Sequence, residues 1–265
     1  MTDPGHPGRR VSPEEFYGRL APGYREAFDV AHRKAYDRLA WEAVEAGLAP
    51  DSTVVDVGCG VGRWAAALIA RGHRVIGVEP SPGMVAAVRA ASLGSRFTLH
   101  QATVDRVRIA AGSADAVVAM GSVQYAPDPA ASIARMAGWL RPGGRIWVLV
   151  DSLGGLVGEL LRRGDDLQAL ARAASATGRL SSGPYTVEHH LFDAARLERA
   201  LLDAGLTDVT VSGLLVGWNS KDRDEAQRDL TAHWETALDR ERRLASIRAL
   251  ADLGKQLLAY GRRPS

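Results

Sequence analysis

Short apolar runs alternate with helix-like patterns between residues 50 and 150 of this chain. Such alternation is typical of a parallel sheet whose strands are joined by crossover helices. The predicted strands cover residues 53–57, 74–79, 96–100, 115–120 and 145–151. The helices predicted between them cover residues 64–70, 82–91, 104–109 and 129–140.

The pattern changes after residue 151, where the segments become longer and more polar. The expected elements there are an amphipathic helix over 156–174, a Gly- and Pro-marked loop over 176–185, a helix over 194–205 that Asp193 caps, a strand over 208–218, a charged helix over 226–253 and a strand over 255–263. We therefore predict four parts: an N-terminal helical cover (1–50), a cofactor-binding core (51–151), a cap or lid insertion (152–190), and a C-terminal completion of the core sheet with a charged helical insertion (191–265). The glycines at 154 and 155 are expected to act as hinges of this cap.

Composition narrows the function classes. The chain has 265 residues, of which 46% are apolar, so it can bury a full core. Its 33 basic and 31 acidic residues alternate in sign, which argues against a nucleic-acid partner. Cys59 is the only cysteine, so a thiolate-rich metal site is excluded. With no long apolar run and no secretion-signal pattern, we expect a cytoplasmic protein without a membrane partner.

Three glycines, Gly58, Gly60 and Gly62, stand between the first strand of this region and its helix. Such a turn lets the backbone approach a ligand and aims free helix N–H groups at it. A dinucleotide site needs G-x-G-x-x-G, but here the third glycine comes one position early and Arg63 follows it. Glu79 ends the next strand, where an acid can accept the ribose hydroxyls of a nucleoside. The spacing therefore argues against a nicotinamide oxidoreductase and for another nucleoside cofactor.

These motifs resemble those of the class I S-adenosylmethionine-dependent methyltransferases of the small-molecule type, with a methyltransferase-11/25-like domain. "VVDVGCGVGRW" (54–64) is similar to that family's "VLDxGCGTGR", and "VIGVEPSPGM" (75–84) to its "VxGVDxSxxM". "ATVDRVRIAAGSADAVV" and "SVQYAPDPAASIARMAGWLRPGGRIWVLV" extend the resemblance to residue 150. It implies a Rossmann-like α/β fold: a seven-stranded, mostly parallel sheet with the last strand antiparallel, helices on both faces and a helical cap. It also implies S-adenosyl-L-methionine as cofactor and S-adenosyl-L-homocysteine as product.

The resemblance also assigns cofactor-binding residues. It places the methionine end of the cofactor over Asp56, Gly58 and Gly60, with Cys59 in the same turn. Glu79 would hold the ribose. The remaining positions are Pro80 and Met84 on the adenine face, Val104 and Asp105 at the adenine edge, Met120 and Gly121 on the methyl side, and Tyr17 and Tyr24 as an aromatic wall from the N-terminal segment.

Candidate catalytic residues come from two further segments. "YTVEHHLFDAARLERALLDAGL" resembles a family segment that carries a histidine near the mouth of the pocket, which implies His190 or its neighbour His189 as a general base. Only one of two neighbours can face inward in an extended segment, and the match favours His190. Tyr125 stands where the family often has a histidine, so it is expected to donate a hydrogen bond or form a wall. Adjacent histidines do not readily share a metal ion, so no metal is expected.

The expected function is methyl transfer to an oxygen, nitrogen or carbon atom of a small molecule, in bacterial secondary metabolism as the Ala-, Arg- and Gly-rich composition suggests. One alternative keeps the cofactor bound while the protein catalyses a cyclisation or rearrangement. A nucleic-acid methylase is less favoured, because no Asn/Asp-Pro-Pro-aromatic stretch follows the fourth strand. The expected partner is a small-molecule substrate, and the chain is expected to be a monomer or a homodimer.

Overall fold

The structure is a computed structural model that describes residues 8–265. Its strands are β1 (Arg9–Arg10), β2 (Thr53–Val57), β3 (Arg74–Val78), β4 (Phe97–His100), β5 (Ala114–Met120), β6 (Leu140–Asp151), β7 (Thr177–Ser182), β8 (Tyr185–His190), β9 (Thr207–Leu214) and β10 (Gln256–Arg262). Its α-helices are α1 (Pro13–Leu20), α2 (Ala31–Gly47), α3 (Arg63–Ala70), α4 (Pro82–Ala90), α5 (Pro129–Trp139), α6 (Leu153–Arg162), α7 (Asp166–Ser175), α8 (Ala194–Asp203), α9 (Val216–Asn219), α10 (Arg223–Ala232) and α11 (Trp234–Ala245). Short 3-10 helices cover Glu26–Phe28, Val123–Tyr125 and Arg248–Leu253.

Seven strands form the main sheet in the order β4-β3-β2-β5-β6-β10-β9. β2 to β6 pair in parallel, and β10 is antiparallel to both of its neighbours, β6 and β9. The predicted fold class is confirmed, including the antiparallel last strand. Because β2, β3, β5 and β6 run the same way, their carboxyl ends meet at one edge, where open α/β sheets bind ligands.

Helices cover both faces of this sheet. On one face, strand residues such as Val55 and Val117 pack with α5 and α8. On the other face, their neighbours Val54 and Val118 pack with α2, α3 and α11. Both faces are therefore buried, which explains why these strands read as continuous apolar runs.

Three predicted helical segments differ from the structure. The segment 156–174 is divided between α6 and α7, because Gly164 adopts a φ of +71° and Asp165 then caps α7. The segment 226–253 is divided between α10, α11 and a 3-10 helix. The segment 104–109 is one turn, in which the N–H groups of Arg106 and Val107 donate to the Thr103 carbonyl. Helical periodicity continues across such breaks, so the pattern did not reveal them.

Two further segments were also predicted wrongly. The expected loop over 176–185 is a hairpin in which β7 and β8 pair antiparallel around Gly183, whose φ is +54°. The expected strand over 208–218 ends at Leu214, because Leu215 adopts a φ of +59° and α9 follows.

A second sheet of three strands joins two distant parts of the chain. β1 pairs in parallel with β8, so Arg9 lies opposite Tyr185, and β8 pairs with β7. The predicted N-terminal cover and the predicted cap thus share hydrogen bonds; residues 1–7 of the cover lie outside the described residues.

The glycines expected to be hinges of the cap lie in the first turn of α6. A Cβ on Gly154 would come within 2.5 Å of the Asp252 carbonyl oxygen, and one on Gly155 would overlap the Gly254 carbonyl. Both residues permit close packing of backbone on backbone, which accounts for glycine at these positions. That they act as hinges stays a prediction.

Close backbone approach is also required at Gly213 in β9, where a Cβ would overlap the Ala251 carbonyl oxygen. We expect Gly213→Ala to lower the free energy of unfolding by about 1–3 kcal/mol, because backbone must shift. Gly138→Ala is the matched control, since its Cβ in α5 would meet nothing within 4 Å. It should raise stability by roughly 0.5–1 kcal/mol through helix propensity. Urea unfolding of both variants checks this, and equal effects would contradict it.

Candidate functional site

The glycine turn after β2 has a backbone that other residues rarely adopt. Gly58, Gly60 and Gly62 have φ values of +70°, +54° and +78°. The N–H groups of Gly58 and Cys59 donate to the Val78 carbonyl oxygen at 2.7 and 3.2 Å, which ties the turn to β3. A Cβ on Gly60 would meet nothing within 4 Å, so open space lies above this part of the turn.

Glu79 follows β3 and is only 6% exposed. Its Oε2 accepts the Gly60 N–H at 2.9 Å and its Oε1 accepts the Ser81 N–H at 2.9 Å. Burial raises the pKa of this carboxyl, and the two backbone hydrogen bonds partly oppose that rise. No lysine or arginine within residues 8–265 forms an ion pair with it. Each oxygen keeps a lone pair for a ligand hydroxyl.

A cavity of about 160 Å³ lies beside Glu79. Most of the residues that the family resemblance assigned to the cofactor line this cavity: Tyr17, Tyr24, Gly58, Gly60, Glu79, Pro80, Met84, Val104, Asp105, Met120 and Gly121. Met84 is buried in α4, and the Asp105 side chain is largely exposed. The neighbouring Thr103 hydroxyl lowers the pKa of Asp105, so this carboxyl is ionised at the rim.

Asp56 and Cys59 lie beneath the turn and line neither this cavity nor the larger one described below. Asp56 is 2% exposed, and its Oδ2 has no hydrogen-bond partner within residues 8–265. Burial raises its pKa to about 7, although Arg63 opposes the rise. The Cys59 thiol lies against Gly77 of β3, and burial raises its pKa. The structure therefore offers no side-chain contact with a ligand for Cys59.

A second, larger cavity of about 590 Å³ adjoins the first. Five residues line both cavities: Tyr17, Tyr24, Met120, Gly121 and Tyr125. We call these five residues the dividing wall. The Tyr17 hydroxyl donates to the Tyr125 hydroxyl at 2.7 Å, and their ring centroids are 5.2 Å apart, edge to face. Burial raises the pKa of Tyr17, Tyr24 and Tyr125, so all three are neutral phenols.

Beyond the dividing wall, His189, Asp151 and Gln124 form one hydrogen-bonded group in the large cavity. His189 Nε2 lies 3.2 Å from Asp151 Oδ2, and Gln124 Nε2 donates to the same oxygen at 3.0 Å. Gln124 Oε1 accepts the Asp151 N–H at 2.7 Å, which fixes the amide orientation. Burial alone would raise the pKa of Asp151, but His189 and the other partners lower it overall. Asp151 is therefore an ionised carboxylate that holds the imidazole.

His190 lies on the opposite face of β8 and lines neither cavity. Burial lowers its pKa, and the backbone carbonyls of Pro127 and Ala126 partly oppose this. The preference for His190 over His189 is therefore corrected. Which of the two histidine side chains faces the cavity depends on the pairing of β8 with β7. Gly178 of β7 lies opposite His189 and leaves room for its ring, because a Cβ on Gly178 would overlap that ring.

The sequence did not identify Asp151 or assign a role to Gln124. Asp151 is the last residue of β6, and Glu79 is the first residue after β3. An acid at the carboxyl end of a strand was therefore the feature of the sequence that could have identified Asp151 as a site residue. Gln124 lies in a 3-10 helix between β5 and α5. Nothing in the sequence around it indicates that its side chain forms hydrogen bonds with Asp151.

No group of His, Cys, Asp and Glu residues within 8–265 could hold a metal ion. In the same part of the chain, no helix has the length and apolar character needed to cross a membrane.

Comparisons with known proteins agree on the family. A family model described as a methyltransferase domain matches residues 55–148. Ubiquinone biosynthesis O-methyltransferase of Xanthomonas axonopodis pv. citri (strain 306) is 34% identical over 118 residues, which cover 43% of this chain and 49% of that protein. The match to the family model identifies residues 55–148 as a methyltransferase domain. The family resemblance is confirmed, although the alignment spans about half the length of the curated relatives.

Solved structures share the fold at low sequence identity. A putative S-adenosylmethionine dependent methyltransferase from Listeria monocytogenes superposes with a TM-score of 0.63 at 15% identity, covering 88% of this chain and 99% of that one. The [4+2]-cyclase SpnF superposes with a TM-score of 0.53 at 17% identity, covering 88% and 83%. These two structures therefore show that the shared fold extends over most of the chain.

The buried carboxyl of Asp56 predicts a pH-dependent stability. Its folded pKa of about 7 exceeds the ordinary 3.8, so its contribution to stability is complete below pH 3.8 and is lost as pH rises through 7. Asp56→Asn should therefore gain stability relative to the native protein between about pH 4 and pH 7, by about 1.4 kcal/mol per unit of pKa shift. Urea unfolding across this range checks it, with Asp203→Asn at the exposed end of α8 as control. Parallel pH profiles for Asp56→Asn and the native protein would contradict it.

Proposed function

We propose that this chain binds S-adenosyl-L-methionine in the small cavity and methylates a small-molecule acceptor in the large one. The observation that carries this proposal is the dividing wall, whose residues line both cavities and so bring the two occupants into contact. The residues of the small cavity fit a nucleoside. Glu79 offers free lone pairs to ribose hydroxyls, and Met84 and Pro80 offer apolar faces to a base.

S-adenosyl-L-methionine supplies an electrophilic methyl group on a positively charged sulfur, which keeps the electron pair of the broken bond. The chain has to align the acceptor with that methyl group and exclude water. Such alignment contributes up to about 7–11 kcal/mol to catalysis. The hydrogen bond between Tyr17 and Tyr125 fixes two rings at the junction of the two cavities.

An acceptor that carries a proton also has to lose it. We assign this role to His189, which Asp151 and Gln124 hold in the large cavity. When Nε2–H donates to Asp151, Nδ1 carries the lone pair, and it has no partner within residues 8–265. The acceptor atom bonds to the methyl carbon while its proton passes to Nδ1, and Asp151 stabilises the resulting imidazolium.

A cyclisation or rearrangement in which no proton is transferred would leave this histidine–carboxylate pair without a role, so the pair favours methyl transfer over that alternative. A small metabolite is favoured over a nucleic acid because the acidic and basic residues are nearly balanced and mixed in sign. We propose that the acceptor belongs to secondary metabolism and that the protein works in the cytoplasm.

Cofactor binding predicts the effect of Glu79→Gln. The variant keeps the size of the side chain but loses its negative charge. Its amide N–H group also lies opposite a backbone N–H, so one of the two hydrogen bonds is lost. We expect S-adenosyl-L-homocysteine to bind at least tenfold more weakly, since charge-assisted hydrogen bonds contribute about 1.5–3 kcal/mol. Isothermal titration calorimetry measures this, with the exposed Glu45→Gln in α2 as control. Unchanged affinity in Glu79→Gln would overturn the cofactor assignment.

The proposed base predicts a contrast between neighbours. His189→Gln should lose about 10²–10⁴-fold in turnover, because the acceptor proton has no place to go, while cofactor affinity is kept. His190→Gln is the matched control and should retain turnover, since its side chain lies outside the cavity. The assay follows transfer of the labelled methyl group to an acceptor found by a mass-spectrometric metabolite screen. Equal turnover in the two variants would show that His189 is not the base.

A further inference from the structure

The end of the large cavity beside β10 and β9 is rich in cationic residues. It is lined by His32, Arg33, Trp218, Asn219, Arg223 and Lys255, which we call the cationic end. These residues come from the first turn of α2, from α9, from the start of α10 and from the position before β10. β10 and β9 lie on the opposite side of β2 from β3, so this end is remote from Glu79.

The charges that line the large cavity do not cancel. Five are cationic (Arg33, Arg63, Arg179, Arg223 and Lys255) and three are acidic (Asp37, Asp151 and Glu159). Each acid already has a partner: Asp37 pairs with Arg63, Asp151 with His189, and Glu159 with Lys255 at 3.5 Å. Within residues 8–265, Arg33 and Arg223 form no ion pair with a carboxylate. The cavity therefore offers unpaired positive charge to a ligand.

Three of these cations converge on one imidazole. The His32 ring stacks on Trp218 with centroids 5.2 Å apart, and Lys255 Nζ lies 5.1 Å from the centroid of the same Trp218 ring. Burial, followed by the charges of Lys255, Arg33 and Arg223, lowers the pKa of His32 to about 4. His32 is therefore neutral and supplies no counter-charge. Of the three cations, only Lys255 has a carboxylate partner, Glu159.

Two buried residues of the cationic end also have polar atoms without partners. Trp218 and Asn219 are 5% and 4% exposed, and neither Trp218 Nε1 nor Asn219 Oδ1 has a hydrogen-bond partner in the described part of the chain. Asn219 Nδ2 donates to the carbonyls of Gly155 and Leu253, which fixes the amide orientation. A buried indole N–H without an acceptor is costly in a folded protein, so a missing ligand is the physical explanation that we adopt for Trp218 Nε1.

We propose that the cationic end binds an anionic group of the acceptor, a carboxylate or a phosphate. This inference rests on the proposed function, because it assigns the large cavity to the acceptor. Arg223 and Lys255 provide charged donors, Arg33 adds positive charge, and the indole N–H of Trp218 is a neutral donor for the same oxygens. The acceptor thus carries its acidic group at the cationic end and its methylated atom at the dividing wall.

The test measures binding of three aromatic probes to protein saturated with S-adenosyl-L-homocysteine: benzoate, phenyl phosphate and the neutral benzamide. Isothermal titration calorimetry gives each Kd. We expect at least one of the two anions to bind at least tenfold more tightly than benzamide. The anion that binds more tightly shows whether the acidic group of the acceptor is a carboxylate or a phosphate. Arg223→Gln and Lys255→Gln should each reduce this preference at least threefold. Arg228→Gln is the matched control, because Arg228 is exposed on the same helix and lines neither cavity.

Equal affinity for the three probes in the native protein would overturn the proposal, as would an unchanged anion preference in both variants. Weaker binding of S-adenosyl-L-homocysteine in Arg223→Gln and Lys255→Gln, with probe binding unaltered, would also overturn it, because the cations would then serve the cofactor carboxylate. Failure of the proposed function is distinguishable. In that case the native protein does not bind S-adenosyl-L-homocysteine, while probe titrations in its absence still report on the cationic end.

Discussion

One buried carboxylate, that of Glu79, holds the candidate site together. It has no cationic partner in the described chain. The backbone N–H groups of Gly60 and Ser81 donate hydrogen bonds to it instead. These hydrogen bonds connect the turn after β2 to the start of α4. The Glu79 side chain therefore positions both of these segments beside the small cavity. Hydrogen bonds from fixed dipoles offset part of the cost of burial and leave the outer lone pairs for a ligand.

The fold was predictable where the information is local. Strands buried on both faces leave apolar runs, and Asp128 and Asp193 mark the starts of their helices by capping them. Prediction failed where a distant segment decides the structure. The hairpin of β7 and β8 looks like a loop because its residues are polar. It is extended because β8 is the central strand of its sheet and pairs with β7 on one side and with β1 on the other.

The candidate site divides in the same way. Glu79 and Met84 lie within one contiguous motif, so their shared cavity could be expected from the sequence. His189 could not be chosen over His190, because the side that faces inward depends on pairing with Gly178. The cationic end was equally hidden. Its residues come from four separate segments, and Trp218 stood in what looked like a strand. Residues that meet only through tertiary packing have no fixed spacing in the sequence, so no motif reveals them.

The pairing of β1 with β8 has a consequence for how acceptor selectivity can change. One wall of the large cavity contains residues of α1, such as Phe16, and residues of the hairpin, such as Leu180. The pairing of Arg9 with Tyr185 joins these two stretches, although the two partners are more than 170 positions apart in the sequence. A chimera that exchanges only 152–190 with a relative would therefore install a hairpin against a foreign edge strand. Under the proposed function, a change of acceptor in this architecture would therefore require matched substitutions in both segments.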